Sequence, residues 1–232
     1  MSMIKLTGYV EAANNKTQSK RRFEMANENN QSTRLYVTIQ GVLGGLAGMI
    51  HGFAEISQGN RPTGGQWLVS VGAFTLIPNY LATGIAAMLV GLCVLVWTLG
   101  FIQSKYGATV FLILATTLFL VGGGVMQVLF FLIAWSVATQ ICQPLTWWRK
   151  SLSAAFRQRL ARGWRLNFVA GYVFFFVAIA IWLVLTPPGA EYKDPVNQYI
   201  LWICLSISIL FQLLTIVSGF ARDILRQDGD AV

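Results

Sequence analysis

The stretch 107–141, GATVFLILATTLFLVGGGVMQVLFFLIAWSVATQI, decides how this chain is read. Its 35 residues carry no charge. As a single helix at about 1.5 Å per residue it would be about 52 Å long, against about 30 Å for the hydrocarbon core of a bilayer. Gly122, Gly123 and Gly124 stand at its middle, and consecutive glycines reverse a chain at little steric cost. The stretch predicts two short helices, 107–121 and 125–141, folded back on each other.

Working outward, four more apolar runs are long enough to cross a membrane: 35–56, 80–101, 168–185 and 199–220. The whole chain of 232 residues is 55% hydrophobic and only 11% charged, with a mean hydropathy of +0.59. Soluble domains carry about 25% charged residues. A soluble enzyme, a collagen-like chain and a disordered chain are excluded on these grounds. The fold class expected is all-α, an integral membrane protein of six transmembrane helices.

Charge placement chooses the count. With six crossings and the N-terminus inside, all but Arg61 and Lys193 of the 17 Lys and Arg fall on the cytoplasmic side. Five crossings would export 142–167, which has six basic residues and no acidic one, against the positive-inside rule. Both termini are therefore expected in the cytoplasm, with 1–33 a mobile tail, 34–221 the membrane domain and 222–232 a second tail. The first residues lack the apolar core of a secretory signal. The net charge of +8 is thus a topology signal, and no nucleic-acid partner is expected.

Between the spans, 57–79 is an outer loop whose 67–77 piece is too short to cross; it is expected to lie in the interface or to re-enter the membrane. Pro187, Pro188 and Gly189 mark an outer turn at 186–198. Trp147, Trp148 and Trp164 flank the basic inner segment at headgroup level. Trp148, Leu152, Phe156 and Leu160 share a helical face compatible with a surface-lying helix, but Arg149 and Arg159 intrude on it, and a basic loop that only fixes orientation is the preferred reading.

Chemistry, if there is any, belongs to the first span. At 100° per residue, Gln40, Gly41, Gly44, Gly45, Gly48, His51, Gly52 and Glu55 all fall within an arc of about 140°. Leu43, Leu46, Met49, Ile50 and Phe53 take the other side. The glycines form a small-xxx-small ridge for helix packing. His51 is the only histidine, and Glu55 the only acid inside a span. Four residues apart, they share a face. An ionised carboxylate at membrane depth costs several kcal/mol unless paired, hydrated or neutralised, so the pair is a candidate proton or ligand site as well as a structural one. Gln58 and Asn60 follow directly and are expected to join it. Two ligands are too few for a catalytic zinc, Cys93, Cys142 and Cys204 form no CxxC, and neither a metal nor a cofactor is expected.

HGFAEISQGN at 51–60, LIPNYLATGI at 76–85, LVGGG at 120–124 and QPLTWWR at 143–149 resemble a group of small prokaryotic polytopic membrane proteins without assigned activity. The resemblance covers about residues 40–150 and implies a multi-pass fold, nothing more. The function expected is non-enzymatic: an accessory, assembly or sensing subunit of the cytoplasmic membrane, with the bilayer and a protein partner or a second copy as its company. The alternatives are a proton or small-solute transporter or channel using His51 and Glu55, and a lipid- or quinone-handling membrane enzyme.

Overall fold

The computed structural model describes residues 30–68, 72–185 and 195–229. The expected tail, up to residue 29, and the turn at 186–194 lie outside the described residues. The chain is mostly helical, and four helical stretches are long and apolar enough to cross a membrane: Gln31–Ile56, Tyr80–Gly100, Ala154–Ile181 and Tyr199–Asp228. It divides into two compact units, one ending at Pro144 and the other starting at Leu145.

The first unit contains α1 (Gln31–Ile56), β1 (Trp67–Leu68), β2 (Ala73–Thr75), α2 (Tyr80–Gly100), α3 (Gly107–Leu120), β3 (Val121–Gly124) and α4 (Val125–Ala138). The long apolar run is thus two helices of 14 residues joined by an extended segment. Gly122 takes φ +107°, a conformation that side chains rarely allow and that ends α3 abruptly. The chain does double back. The rings of Phe111 and Phe131 lie 5.6 Å apart, where one continuous helix would separate them by about 30 Å. Beyond α4, Cys142 Sγ donates to the Gln103 carbonyl at 3.5 Å. Asn30, just before α1, sends its side-chain amide to the carbonyls of Gln140, Ile141 and Gln143 at 2.8–3.0 Å. It ties the start of α1 to the turns that follow α4.

The all-α expectation needs one correction. A three-stranded antiparallel sheet, β1-β2-β3, forms where the run breaks. β2 meets β3 at Ala73–Gly124 and Thr75–Val121. Leu76 N donates to Leu120 O at 2.9 Å, and Val125 N to Gly72 O at 3.0 Å. The physical reason lies in the glycines. Leaving the helix strands several backbone donors and acceptors, which cannot stay unsatisfied in an apolar setting. β2, itself paired with β1, comes in alongside and pairs with them.

The glycine ridge of α1 packs on both its neighbours. A β-carbon on Gly45 or Gly52 would fall 2.8 Å and 2.6 Å from the carbonyl oxygens of Gly91 and Gly84 in α2. Gly41 faces Thr98, while Gly44 and Gly48 receive Phe131 and Leu118 from the α3–α4 hairpin. On the opposite side, Ile50 and Phe53 are 69% and 67% exposed.

The second unit holds α5 (Thr146–Ser151), α6 (Ala154–Leu185) and α7 (Pro195–Asp228). α6 and α7 run antiparallel. Ser208 Oγ donates to Gly171 O at 2.8 Å, Phe174 stacks with Phe211 at 6.1 Å, and Asn167 Nδ2 reaches Ser218 Oγ at 3.5 Å. Three expectations are corrected. The span drawn from 168 starts at Ala154, because arginine is a good helix former and the charged turns simply continue the helix. The proposed face from Trp148 to Leu160 does not exist as one helix, since α5 stops at Ser151 and Leu152 is extended. The tail drawn from 222 is helical through Asp228, with Asp223, Ile224 and Leu225 buried.

Candidate functional site

At its last turn α1 carries Glu55 into complete burial, 0% exposed. Neither carboxyl oxygen has a hydrogen-bond partner among the described residues. What faces it is bare backbone: a β-carbon on Gly122 would collide with both oxygens. One turn earlier His51 does the same to the next-but-one glycine, since a β-carbon on Gly124 would sit 2.5 Å from Nε2. The strand therefore passes over both side chains, its glycines providing the space they occupy. His51 is only half-buried and has an interaction of its own.

Threonines close the site from the side of α2 and β2. Ile77 N donates to Thr75 Oγ1 at 3.0 Å, the Thr75 and Thr83 hydroxyls share a 2.6 Å bond, and Thr83 Oγ1 donates to Val121 O at 2.8 Å. Since Thr83 gives its only proton to Val121, Thr75 is the donor between the two hydroxyls. This chain locks ribbon, α2 and β3 beside the carboxyl. In the first turn of α4, Gln127 buries both ends of its amide without a partner among the described residues.

His51 and Glu55 are thus brought to one strand, whereas Gln58 and Asn60 stay outside. Both are exposed. Asn60 Oδ1 accepts from Asn79 Nδ2 at 2.8 Å, and the Gln58 backbone N donates to Glu55 O at 2.9 Å. The sequence signals missed here are Gly122 and Gly124, read only as a turn, together with Thr75 and Thr83. Only the topology shows that turn and ionisable pair are one place.

Among the described residues no three His, Cys, Asp or Glu side chains gather as metal ligands. One carboxyl and one imidazole beside a hydroxyl relay can hold or exchange a proton. Compared with known proteins, the chain matches no family model, no curated protein and no solved structure.

Proposed function

We propose that this is a multi-pass protein of the cytoplasmic membrane, crossing six times with both termini inside, and that it serves as a non-enzymatic accessory, assembly or sensing subunit. The six-crossing reading is supported by the basic inner segment and by the hairpin, which returns residue 142 to the end occupied by Gln103. The observation that carries the non-conducting role is the closure beneath Glu55. Along the polar arc of α1, Gly52, Gly48, Gly45, Gly44 and Gly41 are each filled by a neighbour too close to admit a further β-carbon. A conducting route needs a chain of polar groups or water across the bundle, and between Gly52 and Gly44 this face is filled by Met88, Leu118, Leu95 and Phe131 instead.

The second reading, a proton or small-solute conductor, is favoured by Glu55 and Gln127, whose buried polar atoms have no partner among the described residues. Reconstitution into liposomes with a pH dye inside separates the two. The accessory reading predicts proton flux equal to that of empty liposomes for wild type and Glu55→Gln alike. A flux that Glu55→Gln abolishes in a folded protein overturns it in favour of the conductor.

A further inference from the structure

Charge is scarce in the first unit. From residue 30 to 144 the side chains that carry it are Arg34, Glu55, Arg61 and Lys105, with His51 the one histidine. Gly41 meets Thr98 and Gly52 meets Gly84, so α1 and α2 run antiparallel and Arg34 and Lys105 share the far end. Arg34 is about 31 Å from Glu55 along α1. Arg61 is exposed and is no hydrogen-bond partner of either Glu55 oxygen. α2 adds Tyr80 and Cys93, while β1, β2, β3, α3 and α4 carry no titratable side chain.

Nothing around Glu55 answers a negative charge. The hydroxyl protons of Thr75 and Thr83 are committed to Thr83 and to the Val121 carbonyl. The Gln127 amide does not reach the carboxyl, for neither group has a partner among the described residues. An unpaired charge is far costlier to bury than a neutral polar group, so this packing suits the acid and not the anion.

The walls of the site differ in how far they can give. On the α2 side Gly52 and Gly84 meet backbone to backbone. On the other side β3 is held to β2 by a short ladder, with Leu76 N donating to Leu120 O and Val125 N to Gly72 O. The base of the β1–β2 ribbon is anchored elsewhere, by the Pro62–Asn79 bridge, by Tyr80 N donating to Arg61 O and by Asn79 donating to Asn60. The ladder can part while that base stays in place.

We infer that the ribbon and β3 form a proton-operated latch over Glu55. It is closed with the carboxyl protonated, and it opens between β2 and β3 when the carboxyl ionises and takes up water. The closed state holds one more proton than the open one, so closure is complete at low pH and is lost as pH rises. His51, under Gly124, has the opposite sign: it charges as pH falls, so a latch run by the imidazole would open toward acid. The inference deepens the sensing branch of the function proposed above, and the side whose acidity is sampled rests on the six-crossing reading.

The test uses the full-length chain in nanodiscs, with Cys93, Cys142 and Cys204 replaced and Ala73→Cys as reporter. Ala73 is 1% exposed and pairs with Gly124, so its thiol should react with a soluble maleimide only when β2 leaves β3. Gln66→Cys, at an exposed position before β1, gives the reference rate, and the ratio of the two cancels the ordinary response of a thiol to pH. From about pH 5 to about pH 8 free carboxylates are already ionised and tyrosine is not. Across that window the ratio should rise by about tenfold or more, since one linked proton allows up to about tenfold per pH unit. Glu55→Gln should keep the ratio low and flat, and His51→Gln should leave the rise in place. If Glu55→Gln does not fold, Glu55→Met, neutral and similar in length, should give the same flat line. A flat wild-type ratio overturns the latch. So does a rise that persists in the neutral variants, and so does a ratio that climbs toward low pH and is lost in His51→Gln. Liposome flux is read separately. A flux that Glu55→Gln abolishes removes the accessory reading whatever the ratio, and a flat ratio without flux removes the latch alone.

Discussion

Glu55 spends stability where it stands. A buried polar group without a partner costs about 1–3 kcal/mol, so Glu55→Leu, similar in volume and apolar, is expected to raise the unfolding temperature of the detergent-solubilised protein. A lower temperature would mean that the carboxyl has a stabilising partner in the folded protein. Gly122 gives the converse. Alanine there must adopt φ +107° and must also displace the Glu55 carboxyl. The backbone strain alone is about 1–2 kcal/mol, and the collision adds to it. In a Glu55→Ala background the collision disappears and only the strain is left, so the two substitutions should be coupled by at least about 0.5 kcal/mol in a double-mutant cycle. Strict additivity would separate strand from carboxyl. His51 and Glu55 could be singled out from sequence because ionisable residues inside an apolar span are few. Thr75 and Thr83 could not, since a threonine in an apolar segment is ordinary and only the pairing of β2 with β3 gives these two a shared bond.

Among the elements, α1 divides its glycines by the kind of neighbour they meet, which gives a graded expectation. Gly45 and Gly52 approach the backbone of α2, which cannot move without separating the helices. Gly48 meets the end of the Leu118 side chain, which can rotate. Gly52→Val should therefore cost more than Gly48→Ala, by about 1–3 kcal/mol for overpacking against a fixed wall, as read from thermal unfolding in one detergent. The reverse order would place α2 on the other side of the ridge. The ribbon has its own test: Thr75→Val removes the hydroxyl that donates to Thr83 and should cost about 1–2 kcal/mol. The ridge and the break at the glycines could be read in advance, because small residues at helical spacing and three consecutive glycines each have one strong steric meaning. The β-ribbon could not, as β1 and β2 contain only two and three residues and exist because a break 46 or more positions away needs hydrogen-bond partners. In the second unit, the arginines of α6 read as a loop only where charge is equated with the end of a span, yet charge ends membrane burial and not helicity.

At the scale of the whole molecule, the six-crossing topology we propose rests on six apolar segments and the distribution of 17 basic residues, and the hairpin of α3 and α4 is where it is decided. If the hairpin crosses twice, the basic segment that follows it returns to the side of the N-terminus. If it does not, every later element is inverted. In a background where Cys93, Cys142 and Cys204 are replaced, single cysteines at Thr63 and Ser153 can be labelled with a membrane-impermeant maleimide on intact and on opened cells. The expected result is labelling of residue 63 from outside and of residue 153 only after the membrane is opened. Labelling of residue 153 on intact cells would contradict six crossings and the inward-facing termini together.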